Sequence, residues 1–80
     1  MPHFQILDLH GRRHEDGDFL IEKFITDHID ELPVKIITGH SEAFIGQTHT
    51  IAARYGLSCQ PERGVNRGCW LVVNDPYRTP

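Results

Sequence analysis

Leu7-Asp8-Leu9-His10-Gly11 reads as the end of a strand running into a glycine turn. Strand side chains alternate between faces, so Asp8 and His10 turn to one side while Leu7 and Leu9 turn to the other. The two apolar residues can anchor the strand and leave a carboxylate and an imidazole on offer where it ends. Thr38-Gly39-His40-Ser41 repeats the design later in the chain: apolar residues run into a glycine, with polar groups around it. If the two stretches meet in space, they make a site.

The surrounding sequence says how they would meet. His3 to Leu9 is rich in Ile, Leu and Phe and lies between Pro2 and Gly11, which predicts a first strand. From about Glu15 the period changes. Leu20, Ile21, Phe24, Ile25, Ile29 and Leu32 recur at helical steps, and Glu22, Lys23, Asp27 and Asp30 fall on the opposite side. Asp16 and Asp18 suit the positive end of that helix, and Pro33 closes it. His28, within the stripe, reads as a core or interface histidine.

Val34 to Thr38 is β-branched and predicts a second strand. Ser41 is the expected N-cap of a helix from about Glu42 to Tyr55, closed by Gly56, with Ile45, Thr48, Ile51, Ala52 and Tyr55 facing inward. Leu57 to Gln60 and Cys69 to Val73 complete the strands. The loop between them carries Arg63, Asn66 and Arg67, and the tail from Asn74 to Pro80 is expected to fray.

The order is therefore βαβαββ: an α/β fold with a mixed four-stranded sheet and two helices in two layers. Eighty residues suffice for one such domain, with its core at about 4–73. If the first three strands run parallel, their carboxyl ends share an edge. Asp8, His10, Arg12, Arg13, the Thr38–Ser41 turn and the Arg63–Arg67 loop all gather there.

Composition narrows the function classes. No apolar run approaches the roughly 20 residues of a membrane span, and no secretory signal is visible, so a cytoplasmic location is expected. Two cysteines, Cys59 and Cys69, without a CxxC pair exclude a cysteine-built zinc site. A hairpin turning near Gly64 would set them face to face, although a reducing compartment favours two buried thiols. The net charge of −3 argues against a nucleic-acid partner, but its distribution does not. Seven of the eleven acidic residues lie between Glu15 and Glu31, opposed there only by Lys23. Seven basic and four acidic residues remain elsewhere, a net of +3.

With both motifs in view, the chain resembles the Smr (small MutS-related) domain from about Phe4 to Val73. The likeness rests on Leu7-Asp8-Leu9-His10-Gly11, the acidic-start amphipathic helix, and Ile36-Ile37-Thr38-Gly39. It implies a fold like the C-terminal domain of translation initiation factor 3. It also implies nucleic-acid binding, with endonuclease activity on DNA or RNA in several members. Asp8 and His10 match the positions associated with cleavage, and Thr38 and Gly39 those associated with nucleic-acid contact. Here Ser41 stands where the family's TGxG motif has its second glycine.

The chemistry expected of the pair follows from its groups. An imidazole at His10 can act as general base toward water or a 2′-hydroxyl. Asp8 can orient it, or share a divalent cation such as Mg or Mn with substrate phosphates. Arg12, Arg13, Arg63 and Arg67 can hold phosphates, with Thr38, Gly39, His40, Ser41 and Asn66 completing the contact surface. Two other readings compete: a non-catalytic nucleic-acid-binding module, and a monomer whose acidic helix docks on a larger nucleic-acid-processing protein. A metal site built from His10, His14, His40 and His49 is a further option, but spacing alone cannot show convergence.

Overall fold

The computed structural model describes residues 4–62 and 68–74. The elements follow the predicted order: β1 (Ile6–Asp8), α1 (His14–Asp27), a 3-10 turn (Ile29–Glu31), β2 (Val34–Ile37), α2 (Glu42–Arg54), β3 (Leu57–Pro61) and β4 (Cys69–Asn74). They form an α/β fold with one mixed four-stranded sheet in the order β1-β2-β4-β3. β1 and β2 are parallel, and β4 is antiparallel to both β2 and β3. β3 therefore runs in the direction of β1 and β2 although β4 separates it from them. The carboxyl ends of β1, β2 and β3 do share one edge.

Register sorts the side chains into two faces. Leu7 lies opposite Ile36, Val34 opposite Val72, and Ile36 opposite Trp70. Val34, Ile36 and Val72 of this face, with Leu9 and Leu57, meet Ile21 and Ile25 of α1 and Phe44, Ile51 and Ala52 of α2 in a single core cluster. The other face carries Ile6, Lys35, Ile37 and Leu71. Lys35 pairs there with Glu62 and lies over the Phe4 ring, 5.8 Å from its centroid. This arrangement is compatible with two layers.

The helices approach closely at one point. A Cβ on Gly17 would lie 2.1 Å from Gln47 Oε1 and 3.0 Å from a Phe44 ring carbon, so a side chain there would displace the Gln47 amide from its contact with α1.

Several expected boundaries move. α1 ends at Asp27, short of Pro33, because the His28 amide already bonds back to the Phe24 and Ile25 carbonyls and the chain then tightens into the 3-10 turn. Ile29 is consequently 38% exposed and outside the α-helical stripe. His28 is half-buried at the cap, with its ring 2.8 Å from Glu31 Oε1 and packed against Phe24, so it is not a core histidine. In α2 Phe44 is buried and Tyr55, the capping residue, is exposed.

The cysteines do not face each other. Cys59 lies opposite Val72 and Cys69 opposite Ile37, on different faces of the sheet, and both are free thiols. Burial pushes the Cys59 thiol up to about 11. Asn74, expected to begin a frayed tail, instead ends β4 and pairs with Leu57. The remainder of that tail, 75–80, and the Arg63, Asn66 and Arg67 positions lie outside the described residues.

Candidate nucleic-acid interface

The two glycine turns are neighbours. Asp8 pairs in register with Ile37, and the Leu9 amide donates to the Ile37 carbonyl at 3.0 Å. The chain then closes a tight turn, with the Arg12 amide on the Leu9 carbonyl at 3.0 Å and Gly11 at φ +79. That backbone conformation favours glycine on its own account, since an added Cβ would meet nothing within 4 Å. Leu9 is fully buried, whereas Asp8 and His10 are exposed, which is the alternation expected of the strand end.

Asp8 also holds its own turn. Its Oδ1 accepts the His10 amide at 2.9 Å. One carboxylate oxygen is thus engaged in local structure, and the His10 ring has no hydrogen-bond partner among the described residues.

The second turn spends its polar groups differently. Thr38 is 5% exposed, and its hydroxyl donates to the Gly39 carbonyl at 2.8 Å. The amides of Thr38 and Gly39 both donate to the Gly68 carbonyl, at 2.9 and 3.1 Å, tying the end of β2 to the approach to β4. Gly39 has φ +62 and, like Gly11, open space around its missing side chain. His40 is exposed. Ser41 is the N-cap of α2, its Oγ accepting the Phe44 amide at 3.2 Å. The Ser41 backbone (φ −75, ψ 112) is an ordinary extended conformation that carries no strain for serine.

His14 joins this group across 27 residues of sequence. Its Nε2 lies 3.1 Å from Ser41 Oγ, its ring meets the Phe44 ring edge-on at 4.7 Å, and its carbonyl accepts Gln47 Nε2 at 3.0 Å. Arg12, Arg13, His14 and Glu15 line an open cleft of about 500 Å³. Arg13 pairs with Glu15 at 2.9 Å, both side chains being well exposed, so this ion pair holds neither group firmly. The Arg12 guanidinium has no partner among the described residues.

Sequence spacing brought Asp8, His10, Arg12, Arg13, Thr38, Gly39, His40 and Ser41 to one edge, and that is where they lie. The contact it missed is His14 with Ser41, because nothing local to position 14 announces a partner on another helix.

The histidine metal site does not assemble. Among the described residues no group of three or more His, Cys, Asp or Glu side chains is placed to hold a metal ion. His49 bonds the Ile45 carbonyl at 2.9 Å and packs edge-on against Trp70. For a divalent cation, the β1 exit supplies a single carboxylate, half engaged in its own turn. The described donor set does not fit a cation held by the protein alone, and no step below uses one.

Away from this edge, the outer side of α1 sets the 69% exposed Phe19 among Asp18, Glu22, Lys23 and Asp27, around a second open cleft. This is the surface a docking reading would use. Among the described residues no helix is long and apolar enough to cross a membrane. No family model, curated protein or solved structure matches the chain.

Proposed function

We propose that this chain is an Smr-like domain, with the fold of the C-terminal domain of translation initiation factor 3, that binds nucleic acid along the edge where β1 and β2 end and cleaves phosphodiester bonds there. The observation that supports this reading is the adjacency of the two motif turns through the Leu9–Ile37 hydrogen bond, with Asp8, His10 and Arg12 exposed beside it. In this reading the arginines and the positive N-terminal end of α2 hold phosphate, while His10 accepts a proton from the attacking hydroxyl or water. Asp8 restrains the backbone that carries His10. A cytoplasmic location belongs to the same reading, whereas docking on a larger nucleic-acid-processing protein through the acidic helix belongs to the competing one.

The test uses labelled RNA and DNA, each with and without chelator, and compares the wild-type chain with His10→Ala. Loss of a general base should lower the rate about a hundredfold or more. Equal cleavage by the two proteins would remove His10 from the chemistry.

One observation favours the non-catalytic alternative: Asp8 already has a structural partner in the His10 amide. A pure binding module would show salt-sensitive affinity, weakened by Arg12→Ala, with no cleavage of either nucleic acid.

A further inference from the structure

We infer that Ser41 and His14 form a nucleophile–base pair, in which the serine hydroxyl attacks phosphorus and the imidazole takes its proton. The inference rests on the phosphodiester reading but changes the attacking group from water to Ser41 and the proton acceptor from His10 to His14, which leaves His10 to contact phosphate.

The geometry comes first. Nucleophile and base must lie within about 2.6–3.2 Å, and Ser41 Oγ is 3.1 Å from His14 Nε2. Ser41 Oγ accepts the Phe44 amide and keeps its own proton to donate; in the tautomer with the proton on Nδ1, His14 Nε2 is the acceptor in reach. The imidazole is held in place by the edge-on Phe44 ring, and its backbone by the Gln47 amide. The other two imidazoles of this edge, His10 and His40, have no such support among the described residues.

The surroundings suit an oxyanion. Ser41 caps a 13-residue helix, and the positive end of that helix favours negative charge developing on Oγ. Arg12, Arg13 and Glu15 line the cleft that His14 opens onto; Arg13 pairs with Glu15, and the Arg12 guanidinium, without a partner among the described residues, favours a phosphate over an uncharged ester as the substrate group. Three other described hydroxyls are differently committed: Thr38 donates to the Gly39 carbonyl, Thr48 to the Phe44 carbonyl and Thr26 to carbonyls of its own helix.

The reaction balances in two steps. Ser41 Oγ loses its proton to His14 Nε2 and forms a bond to phosphorus. The bond from phosphorus to the leaving strand's oxygen breaks, and that oxygen takes the proton from His14. Water then attacks phosphorus, giving a proton to His14. The Oγ–phosphorus bond breaks and Ser41 recovers its hydroxyl proton. The net change is one phosphodiester and one water converted to a phosphate end and a hydroxyl end.

A fluorophosphonate, which phosphonylates activated serines with loss of fluoride, tests the pair without any nucleic acid. The expected result is a mass adduct on Ser41 in the folded chain, absent from Ser41→Ala and formed at least tenfold more slowly in His14→Gln, which keeps a side-chain hydrogen-bonding group at position 14. Labelling no faster than in the urea-unfolded chain overturns the proposal, and this wild-type comparison decides even where the glutamine variant fails to fold. Labelling of His14→Gln at the wild-type rate, with its melt unchanged, overturns it equally. Cleavage of RNA or DNA without Ser41 labelling would keep the nuclease reading and sink the pair. Labelling without cleavage would do the reverse.

Discussion

At the exit of β1, Asp8 and His10 point outward, and what anchors the turn is the fully buried Leu9 beneath them. At the exit of β2 the balance is inverted. Thr38 is buried with its hydroxyl bonded to Gly39, and Ser41 caps α2 while also meeting His14. Apart from Asp8, whose carboxylate also holds the His10 amide, the first turn separates structure from chemistry by strand alternation, whereas the second asks the same polar groups to do both. A substitution in the first turn should therefore affect either stability or activity. In the second turn both should change together.

The largest expected effect tests the first half of that contrast. Leu9→Ala removes a buried side chain and should lower unfolding free energy by about 2–5 kcal/mol in urea titration. Its exposed neighbour in His10→Ala should shift stability by no more than about 0.5 kcal/mol. A costly His10→Ala would show that the first turn also relies on its polar groups.

Next come the glycines, which the two turns use alike. Gly11→Ala and Gly39→Ala each force a side chain into a left-handed backbone that costs about 1–2 kcal/mol, and neither Cβ would meet a neighbour within 4 Å. Equal losses of melting free energy are expected. A markedly larger loss at Gly39 would mean that the paired amides of Thr38 and Gly39 on the Gly68 carbonyl cannot tolerate the shift.

The smallest effect compares the two caps. Ser41→Ala removes an N-cap and should cost about 1 kcal/mol. Asp8→Ala, which removes one bond on an exposed turn, should cost about 0.5 kcal/mol. The reverse order would place the structural investment in the first turn and undo the comparison.

Much of this was legible in the chain because the relevant signals are local. Alternation across Leu7–His10 reports which residues are buried, and three- and four-residue steps report the helices. The Ser41 cap and the Gly56 stop are one-residue signals, and both were readable. The misses came where neighbours compete. α1 tightens at His28 under backbone hydrogen bonding that apolar spacing does not register. Tyr55 lost its inward place because the helix ended first, and Phe44 took the contact with His14. The cysteines depended on hairpin register, and a one-residue change in register reverses the face of every side chain.

The sequence by itself determined the order of elements, the buried and exposed sides of the β1 exit, and the edge where the two motif turns collect. The first two follow from periodicity and turn chemistry within a few residues, and the shared edge follows from the element order once β1 and β2 pair in parallel. Tertiary structure alone decided that β4 inserts between β2 and β3, that Gly17 lets Gln47 close on α1, and that His14 comes to rest on Ser41. Those outcomes depend on how two helices pack across one sheet, and the groups concerned are brought together only when the core closes.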